Sequence, residues 1–130
     1  MYFASRGMIA ISAEYRIKNK HGTTPIQAME DAKSAIRFLR LNAKSFFINP
    51  NRIAAAGGSA GGHLAAVTAN IDLFDNVNED LGISSKPNLL VLYNPVIDFG
   101  SRKWLWIDNP SDASPVHNIS KGSPPTIILT

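Results

Sequence analysis

Apolar residues are concentrated in four short runs: Met8–Tyr15 (MIAISAEY), Arg52–Gly58 (RIAAAGG), Leu89–Phe99 (LLVLYNPVIDF) and Pro124–Thr130 (PPTIILT). Each is short, largely apolar and bounded by glycine, proline or polar residues, which predicts a mostly buried strand. Met1–Arg6 reads as the tail of a helix leading into the first run. Between the first two runs the period changes. Met29, Ala32, Ile36, Leu39 and Ala43 follow the i, i+3, i+4 spacing of one buried helical face. Thr24 stands as N-cap, Pro25 suits the first turn, and Gln27 completes a capping box. Arg37, Arg40 and Lys44 suit the negative end of the helix dipole. Asn49–Asn51 is a turn, GGHLAAVTANI after the second run is a second helix, and Gly100–Pro125 is irregular. Strand–helix alternation of this kind predicts an α/β fold: a parallel sheet of about four strands with helices on both faces.

Composition narrows this little. The 130 residues amount to one domain, and no repeat, low-complexity tract or linker divides them. Thirteen basic against ten acidic residues give a net charge of +3 with no dense basic run, so no nucleic-acid partner is expected. Cysteine is absent, which removes disulfide and thiolate chemistry and leaves the compartment open. No apolar stretch reaches the roughly 18 residues of a membrane span. The start lacks the layout of a signal peptide. No metal or cofactor is expected.

The candidate chemistry lies in RIAAAGGSAGGHLAA, Arg52–Ala66. A phosphate-binding P-loop needs a lysine that this stretch lacks, and a dinucleotide fingerprint needs glycine where Ser59 or Ala60 stands. Gly57-Gly58-Ser59-Ala60-Gly61 fits G-x-S-x-G, between an expected strand and an expected helix. In such an elbow the serine hydroxyl is exposed above the sheet, and small neighbours let strand and helix approach. The Ala60 N–H, at the positive end of a helix dipole, suits an oxyanion. Two other readings stay open: a glycine-rich turn whose serine caps the helix, and an anion-binding helix N-terminus.

The order of SAEYR, AMEDAKSAIRFLR, NPNRIAAAGGSAGGHLAA and PPTIILT resembles the α/β-hydrolase superfamily, close to hormone-sensitive-lipase-like and feruloyl-esterase-like serine esterases. The resemblance covers nearly the whole chain. It implies an incomplete α/β-hydrolase domain over residues 1–130, acting on a small-molecule carboxylic ester through an acyl–Ser59 intermediate. It also implies a triad acid and histidine beyond Thr130, and an oxyanion loop before the first helix. A fragment of this kind is expected to be nearly inactive and to self-associate through open sheet edges. A non-catalytic scaffold or interaction module is the alternative.

The remaining candidates are weaker. His63, one turn after Ser59, is expected to pack rather than act as base. His117 precedes the last strand, out of the family's order. His21 is expected in a solvated or loop-bonded role, and Asp98 in a structural one. Trp104 and Trp106 lie where the superfamily varies its pocket, and either line a substrate pocket or fill the layer beneath it. Glu30, Asp31 and Arg37 are expected on a solvated helix face. Met8–Tyr15 is not expected to pair with Arg52–Ala56, because the resemblance implies another strand between them.

Overall fold

The computed structural model describes residues 2–100 and 106–130. Two single-turn helices, α1 (Tyr2–Ser5) and α2 (Lys18–His21), precede the long helix α3 (Pro25–Leu41). Strand β1 (Ala54–Gly58), helix α4 (Ala60–Asn70), strand β2 (Leu89–Tyr93) and strand β3 (Thr126–Leu129) follow. The sheet is parallel, ordered β1-β2-β3, with Ala55 opposite Leu90 and Gly58 opposite Tyr93.

The expected helix is found at α3. Gln27 Oε1 accepts from the Thr24 N–H at 2.9 Å and the Thr24 hydroxyl at 2.8 Å, which fixes its start. Met29 and Ile36 are buried on the expected face. Helix α4 is wrapped almost all round, with Gly62 through Ala69 buried. It packs between α3 and the sheet, joining Ile36, Ile53, Ala55, Ala65, Ala66, Ala69, Leu90 and Leu92 in one core. Along β2, Leu90 and Leu92 are buried on the α4 side, while Leu89 and Val91 are only half-buried. Among the described residues, then, α3 and α4 cover one face of the sheet rather than both.

Two strand expectations need correction. Met8–Tyr15 forms no strand, so the described sheet has three strands rather than about four. A strand exists only through its ladder, and this run has no ladder partner among the described residues; Met8, Ile9 and Ile11 stay about half exposed. As expected, no ladder joins it to Arg52–Ala56, and among the described residues β1 pairs with β2 alone. The third run stops at Tyr93, because Asn94 turns to φ +40° and Pro95 offers no N–H.

Between α4 and β2 the chain is irregular but held by cations one helical turn apart on α3. Buried Lys33 Nζ donates to the carbonyls of Ile71 (2.8 Å) and Leu73 (2.6 Å) and lies 3.0 Å from Asp75. Burial pushes its pKa below the usual lysine value, against the pull of Asp75. Arg37 bonds the Ile83 carbonyl and pairs with Asp75 (2.5 Å) and Glu79 (3.5 Å). Arg40 donates to the carbonyls of Pro50, Ser84 and Lys86. Arg37 is therefore buried under this segment, not solvated. Asp31 and Glu30 turn instead to Arg16, at 2.7 and 3.3 Å.

Phe47 combines a left-handed φ of +54° with 90% exposure. That conformation costs an L-residue about 1–2 kcal/mol and glycine little. Phe47→Gly should therefore raise unfolding stability by about 1 kcal/mol in urea titrations. A drop would mean that the ring is packed. None of the described helices is long and apolar enough to cross a membrane.

Candidate active site

Ser59 sits where β1 hands over to α4, with φ 50° and ψ −116°, a combination that non-glycine residues rarely adopt. Its neighbours hold it there. Its N–H donates to the Tyr93 carbonyl (2.9 Å), and its own carbonyl accepts from the N–H groups of His63 (3.0 Å) and, more weakly, Val96 (3.4 Å). The side chain is exposed and forms no capping bond to α4, which disfavours the reading of Ser59 as a simple helix cap. Ala60 is the first residue of α4, so its N–H stands beside the serine at the positive end of the dipole.

The glycines differ in what they do. A Cβ on Gly57 would lie 2.4 Å from the carbonyl carbon and oxygen of Gly61, inside the turn. One on Gly58 would meet only ordinary contacts at 3.7 Å, and one on Gly61 nothing within 4 Å. Gly62 is the second tight position, 3.0 Å from the Gly57 carbonyl oxygen and from Pro95. Sequence reasoning passed over Gly62; the doubled GG after the serine was the available signal. Steric need falls on Gly57 and Gly62, where strand and helix touch.

The other candidates lie around this turn. His63 is 5% exposed, and its Nε2 is 2.8 Å from the Ala113 carbonyl oxygen. Its ring meets Phe99 edge-on at 4.8 Å, and Phe99 meets Trp106 in the same manner at 5.4 Å. Trp106 thus joins a second core cluster with Met29, Leu64 and Val67, while Trp104 lies outside the described residues. Asp98 and His117 form a half-exposed pair, Oδ1 to Nε2 at 3.3 Å. The Gly100 N–H and then His117 hold the Asp98 carboxyl below the usual aspartate range. His21 is loop-bonded, its Nδ1 accepting from the Ile17 N–H at 3.0 Å.

Burial pushes the His63 pKa below its ordinary 6.5, and the bond to Ala113 only partly opposes this. Below pH 6.5 the unfolded chain takes up this proton before the folded one does, so stability falls as pH drops. The loss is complete once pH is under the depressed folded value. Urea unfolding between about pH 7.5 and 5 should show a slope that His63→Gln reduces. An unchanged slope in the variant would place the proton uptake elsewhere.

The BD-FAE family model matches residues 1–101, which include the whole elbow and the strand beside it. The chain belongs to the BD-FAE family. Among solved structures, this BD-FAE chain is similar to Thermogutta terrifontis esterase 2 phosphorylated by paraoxon, at 44% identity and a TM-score of 0.91. That match covers 98% of this chain and 48% of the esterase. Acetylxylan esterase of Xylanibacter ruminicola is 30% identical over 106 residues, 79% of this chain and 20% of that protein. Esterase LipC of Mycobacterium tuberculosis is 30% identical over 148 aligned residues, 97% of this chain and 36% of LipC. The chain therefore spans less than half the length of each of these relatives. The resemblance to α/β-hydrolase esterases read from the sequence agrees with this family and this fold.

Proposed function

We propose that the protein carrying this BD-FAE chain hydrolyses carboxylic esters through a covalent acyl–Ser59 intermediate. The observation that carries this reading is the φ 50°, ψ −116° turn, which exposes an uncapped serine at the carboxyl end of β1. Strain of this kind, of order 1–3 kcal/mol, persists where surrounding structure enforces it, often at reactive sites. In the step proposed, Ser59 Oγ attacks the ester carbonyl carbon while a general base takes the hydroxyl proton. The Ala60 N–H donates to the oxyanion. Collapse expels the alcohol, which regains the proton, and water then releases the carboxylic acid and restores Ser59.

The base is a role we assign outside this chain. His63 Nε2 is engaged with Ala113, and His117 faces Asp98 on the segment before β3. The part of the relatives' length that this chain does not span is where the resemblance implies the acid and the histidine. A relative phosphorylated by paraoxon supports an activated nucleophile in this fold, because an organophosphate is trapped by the atom that would attack an ester.

Paraoxon labelling of the full-length protein with peptide mapping tests the reading. A diethylphosphoryl adduct on Ser59 is expected. An adduct on Ser5, Ser12 or Ser101 would overturn the assignment. Phosphate binding without any adduct would favour the anion-binding alternative, and neither outcome the non-catalytic scaffold.

A further inference from the structure

One buried titratable side chain has no part in the proposed chemistry, and it sits one helical turn below Ser59. His63 is held on two sides at once. Its main-chain N–H donates to the Ser59 carbonyl at 3.0 Å, and its ring Nε2 lies 2.8 Å from the Ala113 carbonyl oxygen. A carbonyl oxygen only accepts, so Nε2 carries a proton and the ring donates there. The Ala113 end leads back to the serine by a different route. Val116 N–H donates to the Ile97 carbonyl (3.1 Å), and Phe99 N–H donates to Ser114 Oγ (2.9 Å). Val96, next to Ile97, donates to the Ser59 carbonyl (3.4 Å). The bonds therefore close a ring: Ser59 to Val96–Phe99, across to Ala113–Val116, and home through the His63 side chain.

We propose that His63 is a positioning residue, whose ring N–H clips the Ala113–Val116 segment to the elbow helix and so fixes the Asn94–Phe99 loop against Ser59. This rests on the reading of Ser59 as nucleophile only for its catalytic consequence; the structural clip stands apart from it. The loop follows β2, the neighbour of the strand that ends at Ser59, so both lie at the carboxyl edge where parallel sheets of this class bind ligands. Of the interactions between α4 and Ala113–Val116, the His63–Ala113 bond is buried and directional. The edge-on contact of the ring with Phe99 adds packing to the same loop. Burial favours the neutral ring, the form in which one nitrogen donates and the other does not. A shift of about 1 Å at a reacting centre can cost on the order of 10²-fold in rate, which is the scale on which such a clip matters.

The test uses the full-length protein, with His63→Phe to keep an aromatic ring without the donor and His63→Gln to restore an N–H near the Nε2 position. Two readouts are independent of activity. In the wild type, ring ¹⁵N shifts should report a neutral Nε2–H tautomer for His63 with a slowly exchanging proton; a charged ring or an Nδ1–H tautomer at neutral pH would overturn the proposal without any variant. In His63→Phe, amide exchange at Val96 and Val116 should quicken at least about tenfold, and in His63→Gln by less than about threefold. For turnover of a short-chain ester, His63→Phe should lose about tenfold or more in kcat with little change in KM, and His63→Gln should recover most of it. Wild-type exchange and turnover in His63→Phe would overturn the proposal, as would equal losses in both variants. Ester turnover that survives Ser59→Ala would instead remove the nucleophile reading, and the exchange and ring signals would still decide the role of His63.

Discussion

Ser59→Ala in the full-length protein should lower kcat for ester hydrolysis by about 10⁶-fold, the scale seen when the nucleophile of a serine triad is removed. The variant should also be refractory to paraoxon. KM should change little, because the hydroxyl contributes mainly to the bond made in the transition state. Stability should barely move. The Ser59 side chain is exposed and caps nothing, and alanine inherits the same backbone strain at φ 50°. Activity and fold are thus separable at this position: thermal unfolding within a degree or two of the wild type, with turnover near background, is the expected pair of results. Substantial turnover by the variant would sink the acyl–Ser59 mechanism.

Gly57→Ala should do the reverse and attack the fold. The new methyl would sit 2.4 Å from two backbone atoms of Gly61, and neither can rotate away as a side-chain tip would. Relief requires β1 and α4 to move apart at the point where Ser59 is held. Overpacking of this kind costs typically 1–3 kcal/mol in a core that can shift, and more where backbone meets backbone, so a loss of about 3 kcal/mol or failure to fold is expected. Gly61→Ala is the control within the same motif. Nothing lies within 4 Å of its Cβ, and it occupies the first turn of α4. There alanine should be neutral or stabilise by up to about 1 kcal/mol. Urea unfolding of both variants checks the pair, and equal effects would show that the elbow glycines are not sterically distinct.

Those two glycines also mark what could be read from the sequence. The period of Met29, Ala32, Ile36 and Leu39 and the Thr24/Gln27 box were enough to define α3, because local spacing and capping decide a helix. The strand-to-helix setting of Ser59 was legible for a similar reason: five adjacent residues carry it. Met8–Tyr15 was not, since its composition suits a strand but a strand depends on a partner elsewhere. Arg37 looked solvated because its acceptors, the Ile83 carbonyl, Asp75 and Glu79, lie on a segment whose path the sequence does not announce. Half of the requirement at Gly62 comes from Pro95, more than thirty residues away, and half from the Gly57 carbonyl inside the same motif. Long-range backbone neighbours leave no periodic trace.

The three cations of α3 that hold the chain between α4 and β2 have a consequence for how this part of the molecule tolerates change. Lys33 grips Ile71, Leu73 and Asp75, Arg37 grips Asp75, Glu79 and Ile83, and Arg40 grips Ser84 and Lys86, so the segment is anchored along its length to the same rigid rod. Between those anchors Val77 is 85% exposed, and the turn around Asn76–Asn78 is closed by its own asparagine. Extra residues placed there lengthen a tether whose ends are already fixed, at an entropic cost that grows only slowly with length. The stretch around Val77 is thus a natural port for grafting a peptide tag or a reporter, and Lys33, Arg37 and Arg40 are the bolts that such a graft must leave in place.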